Sequence, residues 1–225
     1  MNHYTIISGT GRAGTTLLMR ILTRAGLDTG IDLARASIDP IAHAGLEFDI
    51  RNKPNCAIVK SPWIATYVEE VLADSEITID HAIVCTRNLF DAAESRRRIQ
   101  RLNQTDVSVP GGLWGTSEPC DQEPYLAHMF YRLIFHLTEH DVPITFLHFP
   151  RFAIDPDYLI ARLPAAFPNC DPERLLSAHG LEAAPELISD FRLHRMNRTM
   201  QQAEDGHHGR PHRDMPQVAG SLRRP

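Results

Sequence analysis

The sequence predicts a three-layer α/β fold, in which a parallel β-sheet carries helices on both faces. Two observations predict it. Short apolar runs rich in β-branched residues alternate with longer stretches of helical periodicity. A glycine-rich turn leads directly from the first apolar run into the first helical stretch. Because strands that alternate with helices pair in parallel, we expect their carboxyl ends to share one edge of the sheet.

Each element follows from its local pattern. The strands are predicted from the apolar runs at residues 4–8, 56–60, 81–86 and 143–149. Helices are predicted from apolar residues at three- and four-residue spacing, with capping residues or proline at several of their starts. They cover residues 15–25, 40–47, 62–73, 89–102, 121–140 and 155–163, and two weaker helices cover 171–179 and 184–195.

The remaining segments are predicted to be irregular. Residues 103–120 contain three glycines and two prolines, which indicates a long loop or lid. Residues 1–200 are predicted to form a single domain, because no internal repeat or second boundary is evident. Residues 201–225 are polar and rich in His, Gly, Arg and Pro, which predicts a flexible tail.

Composition narrows the class of protein. A chain of 225 residues, 43% hydrophobic and 23% charged, suits one globular domain. The net charge of -5 gives no general attraction to nucleic acid or to an anionic membrane, so any anionic ligand needs a local basic cluster. The four cysteines form no CxxC pair, and no apolar run is long enough to cross a bilayer. We therefore expect a cytoplasmic protein without a nucleic-acid partner.

The turn after the first strand has the composition of an anion cradle. Glycines let the backbone wrap closely around a phosphate, and the following helix directs its free N–H groups toward it. The spacing is that of a Walker A loop, but Thr15 stands where the lysine belongs and the cation comes earlier, as Arg12. The predicted loop residues are Gly9, Thr10, Gly11, Arg12, Ala13, Gly14, Thr15 and Thr16.

Two further strand ends carry basic residues. Lys60 and Ser61 end the second strand, and Arg87 and Asn88 follow the third. Each cation taken alone could be a solvated surface charge. Three basic groups at equivalent strand ends together predict an anion site. By contrast, the run at 96–98, three arginines, is interpreted as a solvated helix face.

These motifs resemble those of sulfotransferases that use 3′-phosphoadenosine 5′-phosphosulfate (PAPS), over roughly residues 4–163. Residues 11–18 are similar to their 5′-phosphosulfate loop, with Ala13 in place of the usual serine. Arg87 with Ser95, eight positions later, resembles their 3′-phosphate motif. Lys60 is similar to the lysine at a strand end between the two motifs in several branches of the family.

The resemblance implies a role for each group. Arg12 and the loop N–H groups would hold the sulfonate and the 5′-phosphate, and Lys60 would neutralise the leaving oxygen. Arg87 and Ser95 would grip the 3′-phosphate. PAPS would donate its sulfonate to a hydroxyl or amine of a small-molecule, glycan or peptide acceptor, without a metal ion.

Such a transfer needs a general base, and the sequence leaves several candidates open. Glu47 is the first choice, because the resembling families commonly place a carboxylate after the first helix, although its spacing from Arg12 departs from the tyrosylprotein pattern. His43, Asp49 and Asp32 are the others, and His43 could equally be a packing histidine. Residues 28–50 and 103–120, with Trp63 and Trp114, are predicted to form the acceptor pocket.

Two other classes of function fit parts of the sequence. A P-loop nucleotide kinase or NTPase would bind ATP with magnesium, but no magnesium-binding carboxylate is evident at the end of the third strand. A non-catalytic nucleotide-binding or scaffold protein would bind adenosine 3′,5′-bisphosphate without sulfonate transfer.

Overall fold

The computed structural model describes residues 1–104 and 109–189, together with Phe191 and Met196. The chain divides into two units, Met1–Ser189 and Asp190–Pro225. The predicted tail at 201–225 and the predicted boundary at residue 200 lie outside the described residues.

Four strands form one parallel sheet, which confirms the predicted fold class. The strands are β1 (Asn2–Gly9), β2 (Ile58–Lys60), β3 (Ile77–Thr86) and β4 (Ile144–His148). Their order across the sheet is β2-β1-β3-β4, and each neighbouring pair is parallel. β3 begins earlier than predicted because Ile77 pairs with Asn2 at the start of β1.

In the described part of the chain, seven α-helices accompany the strands. They are α1 (Thr15–Arg24), α2 (Val68–Ala73), α3 (Leu89–Leu102), α4 (Gln122–Glu139), α5 (Arg151–Ile154), α6 (Pro156–Arg162) and α7 (Pro172–Glu182). Short 3₁₀ helices occupy Ile50–Asn52, Ile64–Thr66, Pro119–Asp121, Leu163–Ala165 and Pro185–Leu187. Among the helices of the described residues, none combines the length and apolar character that a membrane-spanning helix needs.

The helices cover the sheet on both faces. Successive strand residues point to opposite faces, so Ile7 packs with α1, α6 and α7 while Ile6 packs with α2 and α4. Both isoleucines are fully buried. The result is the predicted three-layer arrangement, with an apolar core on each side of the sheet.

The predicted helix at 40–47 is wrong. This segment is a loop, because His43 (φ 49°), Gly45 (φ 152°) and Leu46 (φ 70°) adopt backbone conformations outside the right-handed helix. The Asp39 side chain accepts hydrogen bonds from the amides two and three residues later, and Ile38 forms an antiparallel bridge with Gly45. These local bonds replace those of a helix.

Two other helix predictions need correction. The segment 62–73 is broken at Tyr67 into the 3₁₀ helix Ile64–Thr66 and α2, since Tyr67 has φ -138°. In the segment 184–195, the structure has the 3₁₀ helix Pro185–Leu187, and most of the rest lies outside the described residues.

The strand order places a crevice at the carboxyl ends of the strands. β2 and β3 lie on opposite sides of β1. The chain therefore changes direction across the sheet between β1 and β3, which is where ligands bind in open α/β sheets.

Candidate functional site

A cavity of about 810 Å³ lies at the carboxyl ends of the strands. It is lined by the loop after β1, by residues that follow β2 and β3, and by the segments 37–45 and 109–114. Its volume is within the range of roughly 300–1,000 Å³ that small-molecule sites occupy. The cavity therefore has the location and the size of a ligand site.

Most of the residues predicted from the sequence line this cavity. They are Gly11, Arg12, Ala13, Gly14, Thr15, Thr16, His43, Glu47, Lys60, Arg87 and Ser95. Gly9 and Thr10 lie at the base of the loop instead. A Cβ on Gly9 would fall 1.9 Å from the carbonyl oxygen of Cys85, and the Thr10 amide donates to that same oxygen over 3.3 Å. These two residues hold the loop against β3.

The loop opens α1 toward the cavity without a capping side chain. Gly11, Arg12 and Gly14 all have positive φ, which curls the backbone. Gly14 is the N-cap residue and has no side chain that could cap the helix, and the first turn has no acidic residue. A Cβ on Gly14 would fall 2.6 Å from the Phe149 ring, so glycine is required there. The free amides and the positive end of the helix suit an anion.

Arg12 is held inside the site. Its Nε donates to Ser95 Oγ over 3.1 Å, and its Nη1 donates to the carbonyl oxygen of Ala42 over 2.5 Å. Burial and then the positive charge of Arg87 lower the pKa of Arg12 to about 10, while Asp39 opposes this shift. Both acceptors are neutral, so the guanidinium charge is not neutralised by these bonds.

Lys60 is the most enclosed cation of the site, with 1% of its side chain exposed. Its Nζ donates to Glu47 Oε1 over 2.8 Å, to Thr16 Oγ1 over 2.7 Å and to the carbonyl oxygen of Gly45 over 2.6 Å. An ammonium group has three donors, so all of them are used. Burial lowers the pKa of Lys60, and the Glu47 carboxylate opposes this shift.

Arg87 bonds to the loop from the end of β3. Its Nη1 donates to the carbonyl oxygen of Arg12 over 3.0 Å, and its Nη2 donates to that of Ser189 over 2.7 Å. The guanidinium lies 5.1 Å from the centroid of the Phe149 ring. Arg87 and Ser95 thus line the same cavity, but the hydroxyl of Ser95 accepts from Arg12.

Arg96 is the basic residue that the sequence analysis missed, and its assignment to a solvated face was wrong. It is 5% exposed, and its Nη1 donates to the carbonyl oxygen of Gly112 over 2.8 Å. Burial and then the charge of Arg12 lower the pKa of Arg96 to about 9. The signal lay in helical spacing, since Ala92 and Ile99 are buried at positions four before and three after it. The neighbouring Arg98 is exposed, as predicted for the run.

The charges around the cavity favour an anion. Among the described residues that line it, five are basic and three carry carboxylates. The basic ones are Arg12, Arg20, Lys60, Arg87 and Arg96, and the acidic ones are Asp39, Glu47 and Glu182. Glu47 pairs with Lys60, and Glu182 pairs with Arg20 over 2.5 Å. The local excess of positive charge contrasts with the net charge of -5 of the chain.

The structure separates the candidate bases into two groups. Glu47 and the exposed His43 line the cavity. Asp49 and Asp32 are not among its described lining residues. The Asp49 carboxylate bonds Arg51 over 2.7 Å, a hydrogen bond that lowers the pKa of Asp49. Glu47 and His43 therefore border the space that a ligand in this cavity would occupy.

The two segments predicted to form the acceptor pocket contribute to the walls. Residues 37–40, 42–45 and 109–114, the last of which is Trp114, line the cavity together with Trp63. Trp63 is 45% exposed and lies at the end of β2 beside the basic cluster.

In comparisons with known proteins, no family model, no curated protein and no solved structure matched this chain.

Proposed function

We propose that the protein is a PAPS-dependent sulfotransferase that moves a sulfonate to a hydroxyl or amine of an acceptor. One observation carries the proposal. Arg12, Lys60 and Arg87, which lie at the carboxyl ends of three different strands, line one cavity beside an uncapped helix N-terminus. A site of this charge suits a ligand that carries anionic groups at more than one position.

The residues present fit this donor. The amides of the curled loop and Arg12 are suited to the sulfonate and the 5′-phosphate. Arg87 and Ser95 lie on the β3 and α3 side of the cavity and are suited to the 3′-phosphate, since a guanidinium fork binds phosphate in two places. The bonds of Arg12 to Ser95 and Ala42, and those of Arg87 to the carbonyl oxygens of Arg12 and Ser189, go to neutral oxygens. An anionic oxygen is a stronger acceptor.

The donor, when bound, supplies a sulfonate whose S–O bond to the 5′-phosphate breaks as the acceptor atom bonds to sulfur, and adenosine 3′,5′-bisphosphate leaves. Lys60, whose ammonium lies beside the loop, would stabilise the negative charge that develops on the leaving oxygen. Its contact with Thr16 fixes the ammonium against α1. The carboxylate of Glu47, or the imidazole of His43, would take the proton that the acceptor loses.

A transfer assay tests the proposal. PAPS is incubated with a panel of phenols, alcohols, amines, glycans and tyrosine peptides, and adenosine 3′,5′-bisphosphate and the sulfated product are both quantified. We expect equal amounts of the two products, and a loss of roughly a hundredfold or more in Lys60→Met. Arg101→Met, which changes an exposed arginine of α3, is the control with unchanged activity. Absence of transfer to every acceptor, with bisphosphate binding intact, would favour a non-catalytic nucleotide-binding protein.

A further inference from the structure

We propose that Arg96 is a binding residue of this cavity and that it recognises a phosphate-type oxyanion of the ligand together with Arg12. The inference deepens the proposed function and rests on it for the identity of the nucleotide. The three basic motifs predicted from the sequence do not include Arg96. This residue lies in the middle of α3, away from the strand ends and from the glycine-rich loop.

The first argument is an unsatisfied donor. Arg96 lines the cavity, and its side chain is buried. Its Nη1 bonds the carbonyl oxygen of Gly112, but its buried Nε has no hydrogen-bond partner among the described residues. Within that same part of the chain no carboxylate forms an ion pair with it. Buried guanidinium donors are almost always bonded, so a ligand oxygen is the natural missing partner.

The second argument is the close approach of Arg96 to the loop. A Cβ on Gly11 would fall 2.2 Å from Nη2 of Arg96. Glycine at this position is therefore what allows the guanidinium to lie against the backbone of the anion cradle. Since Arg12 is the next residue, the buried Arg96 and the half-buried Arg12 lie at the same turn. An oxyanion bound there would relieve their repulsion.

The third argument is that Arg96 is fixed before any ligand arrives. Its guanidinium lies 5.3 Å from the centroid of the Trp114 ring. The main chain of Trp114 is held by the fully buried Gln122, whose Oε1 accepts from the Trp114 amide over 2.7 Å and whose Nε2 donates to its carbonyl oxygen over 3.2 Å. A pre-positioned guanidinium loses little entropy when it binds an anion.

Arg96 could instead serve only to hold the segment 109–114 in place. The two roles differ in how they depend on ligand charge. Loss of a structural contact weakens the binding of charged and uncharged ligands alike. Loss of an anion-binding residue weakens the binding of adenosine 3′,5′-bisphosphate and of inorganic pyrophosphate, but it leaves the binding of uncharged adenosine unchanged.

The experiment compares Arg96→Met, Arg96→Lys and the control Arg101→Met by calorimetric titration with adenosine 3′,5′-bisphosphate, pyrophosphate and adenosine. We expect Arg96→Met to lower the affinity for the bisphosphate roughly ten- to a hundredfold, because a hydrogen bond to a charged group is lost. The affinity for pyrophosphate should fall by a similar factor. Arg96→Lys is expected to lie between wild type and Arg96→Met, since lysine lacks the planar fork. Arg101→Met is expected to bind as wild type does.

Unchanged bisphosphate affinity in folded Arg96→Met, or an equal loss for adenosine, would overturn the proposal. Should Arg96→Met fail to fold, Arg96→Lys decides: a severalfold loss at an unchanged melting temperature supports the role, and unchanged affinity refutes it. The test is separable from the proposed function. If wild type binds pyrophosphate as tightly as the bisphosphate and transfers no sulfonate, the sulfotransferase proposal fails, while Arg96-dependent pyrophosphate binding still supports the anion site.

Discussion

Arg87 donates from Nη1 to the main-chain carbonyl oxygen of Arg12 over 3.0 Å, so the arginine at the end of β3 is bonded to the loop that follows β1. Two motifs that are 75 residues apart in the sequence are thereby joined in one site. The bond gives Arg87 two roles, because it positions the loop and also faces the cavity. A change at Arg87 is expected to affect both.

Replacement of Arg87 tests whether this residue recognises the 3′-phosphate, as proposed. We expect Arg87→Ala to lower the affinity for adenosine 3′,5′-bisphosphate roughly ten- to a hundredfold and to lower the affinity for adenosine 5′-monophosphate less. The preference of wild type for the bisphosphate would then shrink. Calorimetric titration of both nucleotides measures it, with Arg101→Ala as the control. An equal loss for both nucleotides would leave Arg87 with the loop-positioning role alone.

The pair of Lys60 and Glu47 is expected to be coupled in stability. Lys60→Met leaves Glu47 Oε1 without its ammonium partner in a mostly enclosed place, which lowers the free energy of unfolding by about 3 kcal/mol. Glu47→Gln in the same chain removes the stranded charge, so the double variant should recover part of that loss. Urea unfolding of the two single variants and the double variant measures the coupling. If the losses of the two single variants simply add up in the double variant, the coupling is contradicted.

Two glycines of this chain provide a matched pair for the geometry of the loop. Gly9→Ala forces a Cβ to within 1.9 Å of the Cys85 carbonyl oxygen, at a positive φ, so we expect a loss of about 3 kcal/mol or more in the free energy of unfolding. Gly180 lies within α7 with open space around it, so Gly180→Ala should gain about 0.5–1 kcal/mol. Thermal or urea unfolding measures both. Similar stability in the two variants would mean that Gly9 does not approach β3 this closely.

Binding of an anion is expected to weaken at alkaline pH. The pKa of Arg96 is lowered to about 9 and that of Arg12 to about 10, mainly by burial. Above these values the folded chain loses protons that the unfolded chain still holds, so the free energy of unfolding rises with pH. This rise should be smaller in Arg96→Met, which lacks one of the two titrating groups. The uncharged guanidinium no longer attracts an oxyanion.

The affinity for adenosine 3′,5′-bisphosphate should therefore fall as the pH rises above about 9. The ligand itself does not contribute, since a phosphate monoester is fully ionised above a pKa of about 6. Calorimetry between pH 7 and about 10 measures the slope, which should be smaller in Arg96→Met. A profile that is equally flat in both proteins would show that neither arginine titrates in this range.

The sequence was sufficient for the layers of the fold and for most of the cavity. Apolar runs identify strands regardless of their partners, and the basic residues at their ends meet because parallel strands share an edge. The segment 40–47 could not be predicted, since the local bonds of Asp39 and three positive-φ residues override its helical pattern. Such bonds depend on how the chain turns rather than on periodicity.

Arg96 was missed for a different reason. A run of three arginines is most simply solvated, and only the packing of α3 against α4 and the segment 109–114 buries the first of them. The spacing to Ala92 and Ile99 was visible in the sequence, but it gives no information about what covers that face. The Lys60–Glu47 contact could not be predicted from the sequence either, because it depends on the course of a loop.

The proposed function requires this cavity to bind an adenosine that carries phosphates at both the 3′ and 5′ positions. Calorimetric titration of wild type, Arg12→Ala and Arg87→Ala with adenosine 3′,5′-bisphosphate, and separately with ATP and magnesium, measures this binding. We expect wild type to bind the bisphosphate without metal and in preference to ATP, and both variants to bind it roughly tenfold or more weakly. Equal binding of the bisphosphate by all three proteins, or a magnesium-dependent preference for ATP, would contradict the proposal.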